Sequence, residues 1–320
     1  MSLIEELSQK TLNDEYFLEL FIKAESLAAS NFFRNEKLTM QEKELLDLLR
    51  FADILSRSKN ADAQNKAYKI ISLLVDDYKS TEIFSTFANS VFTKLGNFPA
   101  LKFLEEDGHM SKDQSLEIIF EKFTKETFQK IPGSDLVFTD SQYKIFEKLK
   151  NSNHYSFSGP TSLGKSFILN SFIRNLIEVQ KIGENIVILV PTRALINQTV
   201  LQLKKEFSDV EEYRVLSHPT VPETYRAESN RYIFIFTPER LIAYLSDSSN
   251  PKLGYLFVDE AQKVLADKDS RSPLYYHAII QAERKSIKLY FASPNIPNPD
   301  VFLRLFDKST EESINVKTSP

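Results

Sequence analysis

Cysteine is absent from the 320 residues, which excludes disulfides, thiol catalysis and zinc–thiolate sites. Histidine occurs four times, at His109, His154, His218 and His277, too scattered for a histidine-rich metal centre to be expected. No excess of basic charge exists either. Forty Lys and Arg stand against forty-four Asp and Glu, a net charge of −4, so bulk attraction to polyanions is excluded and any nucleic-acid contact must be local. No apolar run approaches the ~20 residues of a membrane span. The opening MSLIEELSQK lacks the basic-then-apolar layout of a secretion signal. These absences favour a soluble cytoplasmic protein with no membrane partner. Glycine is scarce, seven in all, so two at a meaningful spacing carry weight. The 42% hydrophobic content is ample for a buried core, in one large domain or two ordinary ones.

Two textures meet at Ile131-Pro132-Gly133-Ser134, giving expected domains of 1–130 and 131–320. Before that point the chain reads as helix after helix. LIEELSQKTLNDEYFLELFIKAESLAA carries Leu, Ile and Phe at three- and four-residue spacings, the mark of an amphipathic helix. EKELLDLLRFADILSR, AQNKAYKIISLLVDDYK, TEIFSTFANSVFTKL and QSLEIIFEKFTKETFQK repeat the pattern, with Pro99 and Asp107-Gly108 as the clearest breaks. The spacings are too uneven for a tandem repeat. This half holds seventeen basic and twenty-two acidic residues, so it carries −5 and the remainder +1. Its apolar faces are expected to form a helical core, with a docking surface for a protein partner as the alternative.

After residue 131 short β-rich runs alternate with helical stretches: HYSFS, IVILV, YRVLS, YIFIF, GYLFV and KLYFA. Several are apolar on both faces, as strands buried in a parallel sheet must be. The alternation predicts an α/β fold with a doubly wound parallel sheet, whose ligands bind at the carboxyl ends of the strands.

The most specific motif sits there. Gly159-Pro160-Thr161-Ser162-Leu163-Gly164-Lys165-Ser166 fits G-x-x-x-x-G-K-[ST] at every fixed position, after the strand-like HYSFS and at the start of SFILNSFIRNLIEVQ. Two glycines let the loop curl so that amides face a phosphate chain, and the helix start adds its positive dipole end. The motif predicts ATP, with Lys165 reaching the terminal phosphates and the Ser166 hydroxyl on Mg²⁺; the bland rival is an ordinary glycine turn. A second carboxylate site is needed for the metal, and Leu256-Phe257-Val258-Asp259-Glu260-Ala261-Gln262 supplies an apolar strand ending in two acids. Asp259 would hold Mg²⁺ and Glu260 would polarise the attacking water. Taken alone, such a pair could simply open a helix.

Together these motifs and their neighbours resemble the first RecA-like domain of the superfamily 2 DExH/D-box helicases, over roughly residues 135–310. Val190-Pro191-Thr192-Arg193-Ala194-Leu195-Ile196-Asn197-Gln198 resembles motif Ia, Thr237-Pro238-Glu239-Arg240-Leu241 motif Ib, and Asp259–Gln262 motif II. Ser293-Pro294-Asn295-Ile296-Pro297-Asn298 resembles motif III in a form followed by Pro-Asn, and leans with motif Ia towards the Ski2-like branch. The pattern is also similar to bacterial antiviral-defence helicases such as those of the Hachiman system. The resemblance implies a RecA-like P-loop ATPase domain preceded by an all-α region, acting on DNA or RNA.

It also implies roles for individual residues, each with a plain structural rival. Gln142 lies where the family reads adenine, but Thr139-x-x-Gln142 is equally a capping box. Pro191, Thr192 and Arg193, with Thr237, Pro238 and Arg240, imply contacts to a nucleic-acid backbone, which carry no base specificity. Capping threonines, a first-turn proline and solvated arginines are the alternative. Ser293 and Asn295 imply coupling between nucleotide and nucleic acid, or form only a turn with the prolines around them. Gln262 stands where His or Asp is commoner and would hydrogen-bond across an interdomain cleft.

A complete motor of this kind needs a second RecA-like domain with an arginine finger. About 22 residues follow motif III, ending in the polar DKSTEESINVKTSP, so the expectation is the N-terminal part of a longer helicase. Two further readings stay open: an ATP-gated nucleic-acid or protein binding scaffold with little turnover, and a P-loop NTPase unrelated to nucleic acid.

Overall fold

The first expected helix is two helices in the computed structural model, which describes residues 2–34, 38–106, 115–227, 231–266 and 269–316. Helix α1 (Leu3–Leu12) ends at Asn13, and the Asp14 carboxylate accepts the Phe17 amide at 2.8 Å to open α2 (Glu15–Arg34). Short polar side chains that compete for nearby amides serve as caps, so Asn13-Asp14 divides the run despite its continuous apolar spacing. Then follow α3 (Glu42–Ser56), α4 (Ala61–Tyr78), α5 (Glu82–Leu95), α6 (Phe98–Glu106) and α7 (Leu116–Phe128). Asn60 and Ser115 cap α4 and α7, and Gly96, left-handed at φ 64°, ends α5. Pro99 falls in the first turn of α6, where its missing N–H costs nothing; the Asp107-Gly108 break lies outside the described residues. Phe17, Leu48, Leu55, Ile70 and Phe84 form a fully buried helical core. The amphipathic α7 buries none of its residues, and Leu116, Phe120 and Phe123 are exposed.

The chain divides into two compact units between Tyr143 and Lys144, thirteen residues beyond the expected 130/131 break. The intervening segment folds back on the helices. Lys125 of α7 and Gln129, which caps it, each donate to Asp140 at 2.8 Å, and the Phe138 amide donates to the Gln129 carbonyl. The division falls within the sequence range of α8 (Asp140–Asn151).

The second unit carries one sheet of seven strands: β1 (Tyr155–Ser158), β2 (Asn185–Leu189), β3 (Tyr213–Leu216), β4 (Arg231–Phe236), β5 (Leu253–Val258), β6 (Lys288–Ser293) and β7 (Ser313–Asn315). All pairings are parallel, in the order β3-β4-β2-β5-β6-β1-β7. The doubly wound parallel sheet expected from the sequence is thus present. The central strands are largely buried, with Phe172 of the helix after β1 packed ring to ring on Phe257 and Tyr290, and Tyr244 of the helix after β4 packed on Phe234 and Phe236. The helical connections are α9 (Lys165–Arg174), α10 (Arg193–Glu206), α11 (Glu223–Ala227), α12 (Pro238–Ser246), α13 (Ser272–Arg284) and α14 (Asp300–Arg304). From β2 the chain moves out to β3 and β4 on one side, whereas β5, β6, β1 and β7 lie on the other, so the strand order reverses at β2, the kind of position where such sheets take ligands at the carboxyl ends.

The polar tail contains a strand that its composition hides. β7 pairs with β1, and the Ser156 amide donates to the Glu312 carbonyl while the Val316 amide donates to that of Ser158. An edge strand is paired on one side only and tolerates polar residues that a central strand cannot. Among the described residues no helix is long and apolar enough to cross a membrane.

Candidate nucleotide and nucleic-acid site

The turn after β1 runs through Gly159 and Pro160 and a short 3-10 turn at Thr161–Leu163 before Gly164 starts α9. Thr161 and Ser162 are exposed and Leu163 is buried beneath them. Gly164 is left-handed, at φ 71° and ψ 43°, a conformation that glycine adopts without the Cβ penalty of other residues. As the N-cap it has no side chain to offer the first-turn amides of α9. Lys165 is buried, 7% exposed, and its Nζ donates to the Gly159 and Pro160 carbonyls at 3.1 Å each. Burial pulls its pKa down from the usual lysine value, and the charges of Glu260 and Asp259 pull it partly back. Ser166 is exposed at the head of the helix.

Asp259 follows β5, its amide donating to Leu189 at the end of β2. Burial pushes its carboxyl above the usual range, the neighbouring Glu260 adds to this, and the Glu260 amide and Lys165 oppose it. That amide donates to Asp259 Oδ1 at 3.0 Å. Glu260 is itself left-handed at φ 56°, a strained setting for a non-glycine residue of the kind that gathers at functional sites. Its carboxylate accepts from Gln262 Nε2, and Gln262 Oε1 is buried with no partner. A lysine shifted down and a carboxyl shifted up thus act on each other through their charges, a combination common in sites that handle charge.

The arrangement fits a magnesium nucleotide. The described residues contain no group of three or more His, Asp or Glu able to hold a metal. Mg²⁺ characteristically takes one or two protein oxygens and completes its shell with phosphate and water, and Ser166 with Asp259 is such a partial donor set.

At the end of β2, Pro191 is buried while Thr192 and Arg193 are exposed. Thr192 caps α10, its hydroxyl accepting the Leu195 amide at 3.3 Å. At the end of β4, Thr237 and Pro238 are buried, with Pro238 in the first turn of α12. Arg240 is half-buried and donates to the Ser217 carbonyl. Motif III ends β6: Ser293 is fully buried with its hydroxyl unpartnered, whereas Asn295 is exposed. The Ser293 carbonyl accepts the Gly159 amide at 3.3 Å, which ties this segment to the Gly159–Ser166 loop. In the helical unit, the Thr139 amide donates to Gln142 Oε1 at 3.0 Å and the Gln142 amide to the Thr139 hydroxyl at 3.3 Å. The capping box is formed.

Two structural residues at this edge went unnoticed in the sequence. Ser158, the last residue of β1, donates to the Ile296 carbonyl and accepts the Ile296 amide, anchoring the motif III turn. Its place directly before Gly159 was the available signal. Arg271 donates to Glu239 and to the Pro191 carbonyl; these partners lie 32 and 80 residues away in sequence, and nothing local marks them.

Residues 139–300, just over half of the chain, match the DEAD/DEAH box helicase family. The chain is also 30% identical, over 173 residues, to Anti-bacteriophage protein B of Escherichia coli (strain K12), a match that covers 53% of this chain and 21% of that protein. It thus spans about a fifth of the length of that relative. A crystal structure of DUF1998 helicase MrfA bound to DNA aligns with a TM-score of 0.44 at 19% identity, over 58% of this chain and 28% of that one.

Proposed function

The chain belongs to the DEAD/DEAH box helicase family, and on that premise we propose that it holds the Mg²⁺–ATP pocket and half of the nucleic-acid track of an ATP-driven motor. The observation that carries this reading is the start of α9: an uncapped helix N-terminus behind a left-handed Gly164, with Lys165 buried beside it and the Asp259 and Glu260 charges acting on that lysine. Amides and dipole there favour an anion. Residues Gly159–Ser166 would cradle the phosphates, Lys165 would exchange its two loop carbonyls for phosphate oxygens, and Ser166 with Asp259 would hold the metal. The bound metal would supply charge neutralisation at the phosphates. Glu260 accepts a proton from, or orients, an attacking water, and the Gln262 bond holds its carboxylate in place.

Thr192, Arg193 and Arg240, at the carboxyl edge, are the residues proposed to meet a DNA or RNA backbone, with buried Pro191, Thr237 and Pro238 shaping their loops. Ser293 and Asn295 would link that track to the phosphate loop through the Gly159–Ser293 hydrogen bond. Because the chain spans a fifth of its curated relative, a second RecA-like domain elsewhere in the native protein is proposed to complete the ATPase site. The exposed apolar face of α7 supports a protein partner for the helical unit. Similarity to Anti-bacteriophage protein B supports a defence role, tested by phage plaquing on cells that carry the native protein or its Lys165→Ala form. Against the scaffold reading the decisive experiment is Glu260→Gln in the whole native protein. Mg²⁺–ATP binding should persist and nucleic-acid-stimulated hydrolysis should collapse; full hydrolysis in that variant would contradict the catalytic assignment.

A further inference from the structure

We infer that Arg271, outside every motif singled out above, is a positioning residue that sets the spacing of the two loops proposed to grip nucleic acid and ties both to the segment after Asp259–Gln262. The inference rests on the backbone-binding reading of those loops. Arg271 Nε and Nη2 both donate to Glu239 Oε1, at 3.1 and 2.8 Å, and Nη2 also donates to Oε2 at 2.9 Å. Nη1 donates to the Pro191 carbonyl. One planar fork therefore joins the loop after β2 to the first turn of α12. The amide of Arg271 donates to Asp269 at 3.0 Å, and Ser272 donates to the Val264 carbonyl, which fixes the fork to the turn leaving the acidic pair. Its guanidinium lies over the buried Tyr275 ring, 6.0 Å from the centroid.

An isolated surface ion pair would contribute little. This one differs because the guanidinium satisfies a carboxylate and a main-chain carbonyl on separate elements, a geometry that a lysine ammonium does not reproduce. Chemistry gives a second reason for the pairing. Glu239 is a carboxylate within two residues of Thr237 and next to Arg240, and left uncompensated it would repel a phosphate backbone. Although burial works the other way, bonds from Thr237, its own amide and Arg271 hold Glu239 below the usual carboxylate range, so it is charged at neutral pH and Arg271 is its counter-charge.

The test uses the 320-residue chain and its Arg271→Ala and Arg271→Lys variants. Amide exchange is followed over 159–168, 190–196 and 237–242, and fluorescence anisotropy reports binding of a single-stranded oligonucleotide. Arg271→Ala should speed exchange in the second and third segments, leave the phosphate loop unchanged, weaken oligonucleotide binding tenfold or more, and leave Mg²⁺–ATP affinity within twofold. Arg271→Lys should fold like the parent and recover only part of the binding. Unchanged exchange in both loops, or full recovery by lysine, overturns the positioning role. Loosened loops with undiminished oligonucleotide binding overturn its connection to nucleic acid. Failure of the parent chain to bind any oligonucleotide overturns the underlying functional reading instead, while the exchange data still decide the strut.

Discussion

Among the helices that follow strands at the carboxyl edge of the sheet, α9, α10 and α12 treat their first amides differently. α10 is closed by its own Thr192 hydroxyl. α12 also lacks a bond from its N-cap side chain, but it begins with Pro238, which has no amide to satisfy, and its first-turn Glu239 carboxylate accepts its own amide. α9 begins with a glycine and has no side-chain cap at all. A helix whose end groups are met internally gains stability and has little left for a ligand; one left open is stabilised when an anion arrives. The difference separates the end of the edge proposed to take the nucleotide from its neighbours, where side chains such as Arg193 are exposed.

The strongest way to break this contrast is to remove the charge at the open end. Lys165→Ala should weaken Mg²⁺–ATP binding roughly a hundredfold, about 2–3 kcal/mol, the worth of hydrogen bonds between a charged donor and phosphate. Calorimetry on the folded variant checks it, and an unchanged affinity would remove the phosphate loop from the site. Next in size is the closed helix. Thr192→Ala deletes the α10 cap and should cost about 1 kcal/mol of stability in urea unfolding while nucleotide affinity holds. Loss of nucleotide affinity without loss of stability would reverse the roles assigned to α9 and α10.

Smallest is a pH effect at the opposite end of β1. Burial first, then the Lys308 and Lys288 charges, depress His154 below the usual histidine value against the pull of Glu283, and its Nδ1 accepts the Leu289 amide at 3.1 Å. A depressed folded-state pKa means that the unfolded chain binds the proton more readily. Stability from the neutral ring is therefore complete above about pH 6.5 and falls as pH drops through the folded value. His154→Gln should flatten the loss in denaturation midpoint between pH 7.5 and 5.5; an unaltered slope would exonerate this histidine.

What the sequence made legible follows from where information is local. Gly159–Ser166 and Asp259–Gln262 are contiguous, follow apolar strands and need particular residue types, so both emerged with the turns that carry them. The five central strands were plain for the same reason, because central parallel strands are apolar on both faces, and the edge strand β3 showed through its Tyr213, Val215 and Leu216. β7 escaped because Ser313–Asn315 lies on an edge, where β-character in the side chains is not required. The Asn13-Asp14 break escaped because apolar periodicity ran across it while two short polar caps decided the matter. The unit boundary at Tyr143 depends on Lys125 and Gln129 reaching Asp140, and the strut at Arg271 on partners in other loops. Such pairings exist only once the chain has folded.

The central claim, that the open end of α9 receives the nucleotide, is tested most directly by amide exchange of the chain with and without saturating Mg²⁺–ATP. Protection is expected over residues 159–168 and at Asp259–Gln262, with little change at the starts of α10 and α12. Protection centred on 192–197 or 238–242, or none over 159–168 at saturation, would contradict it.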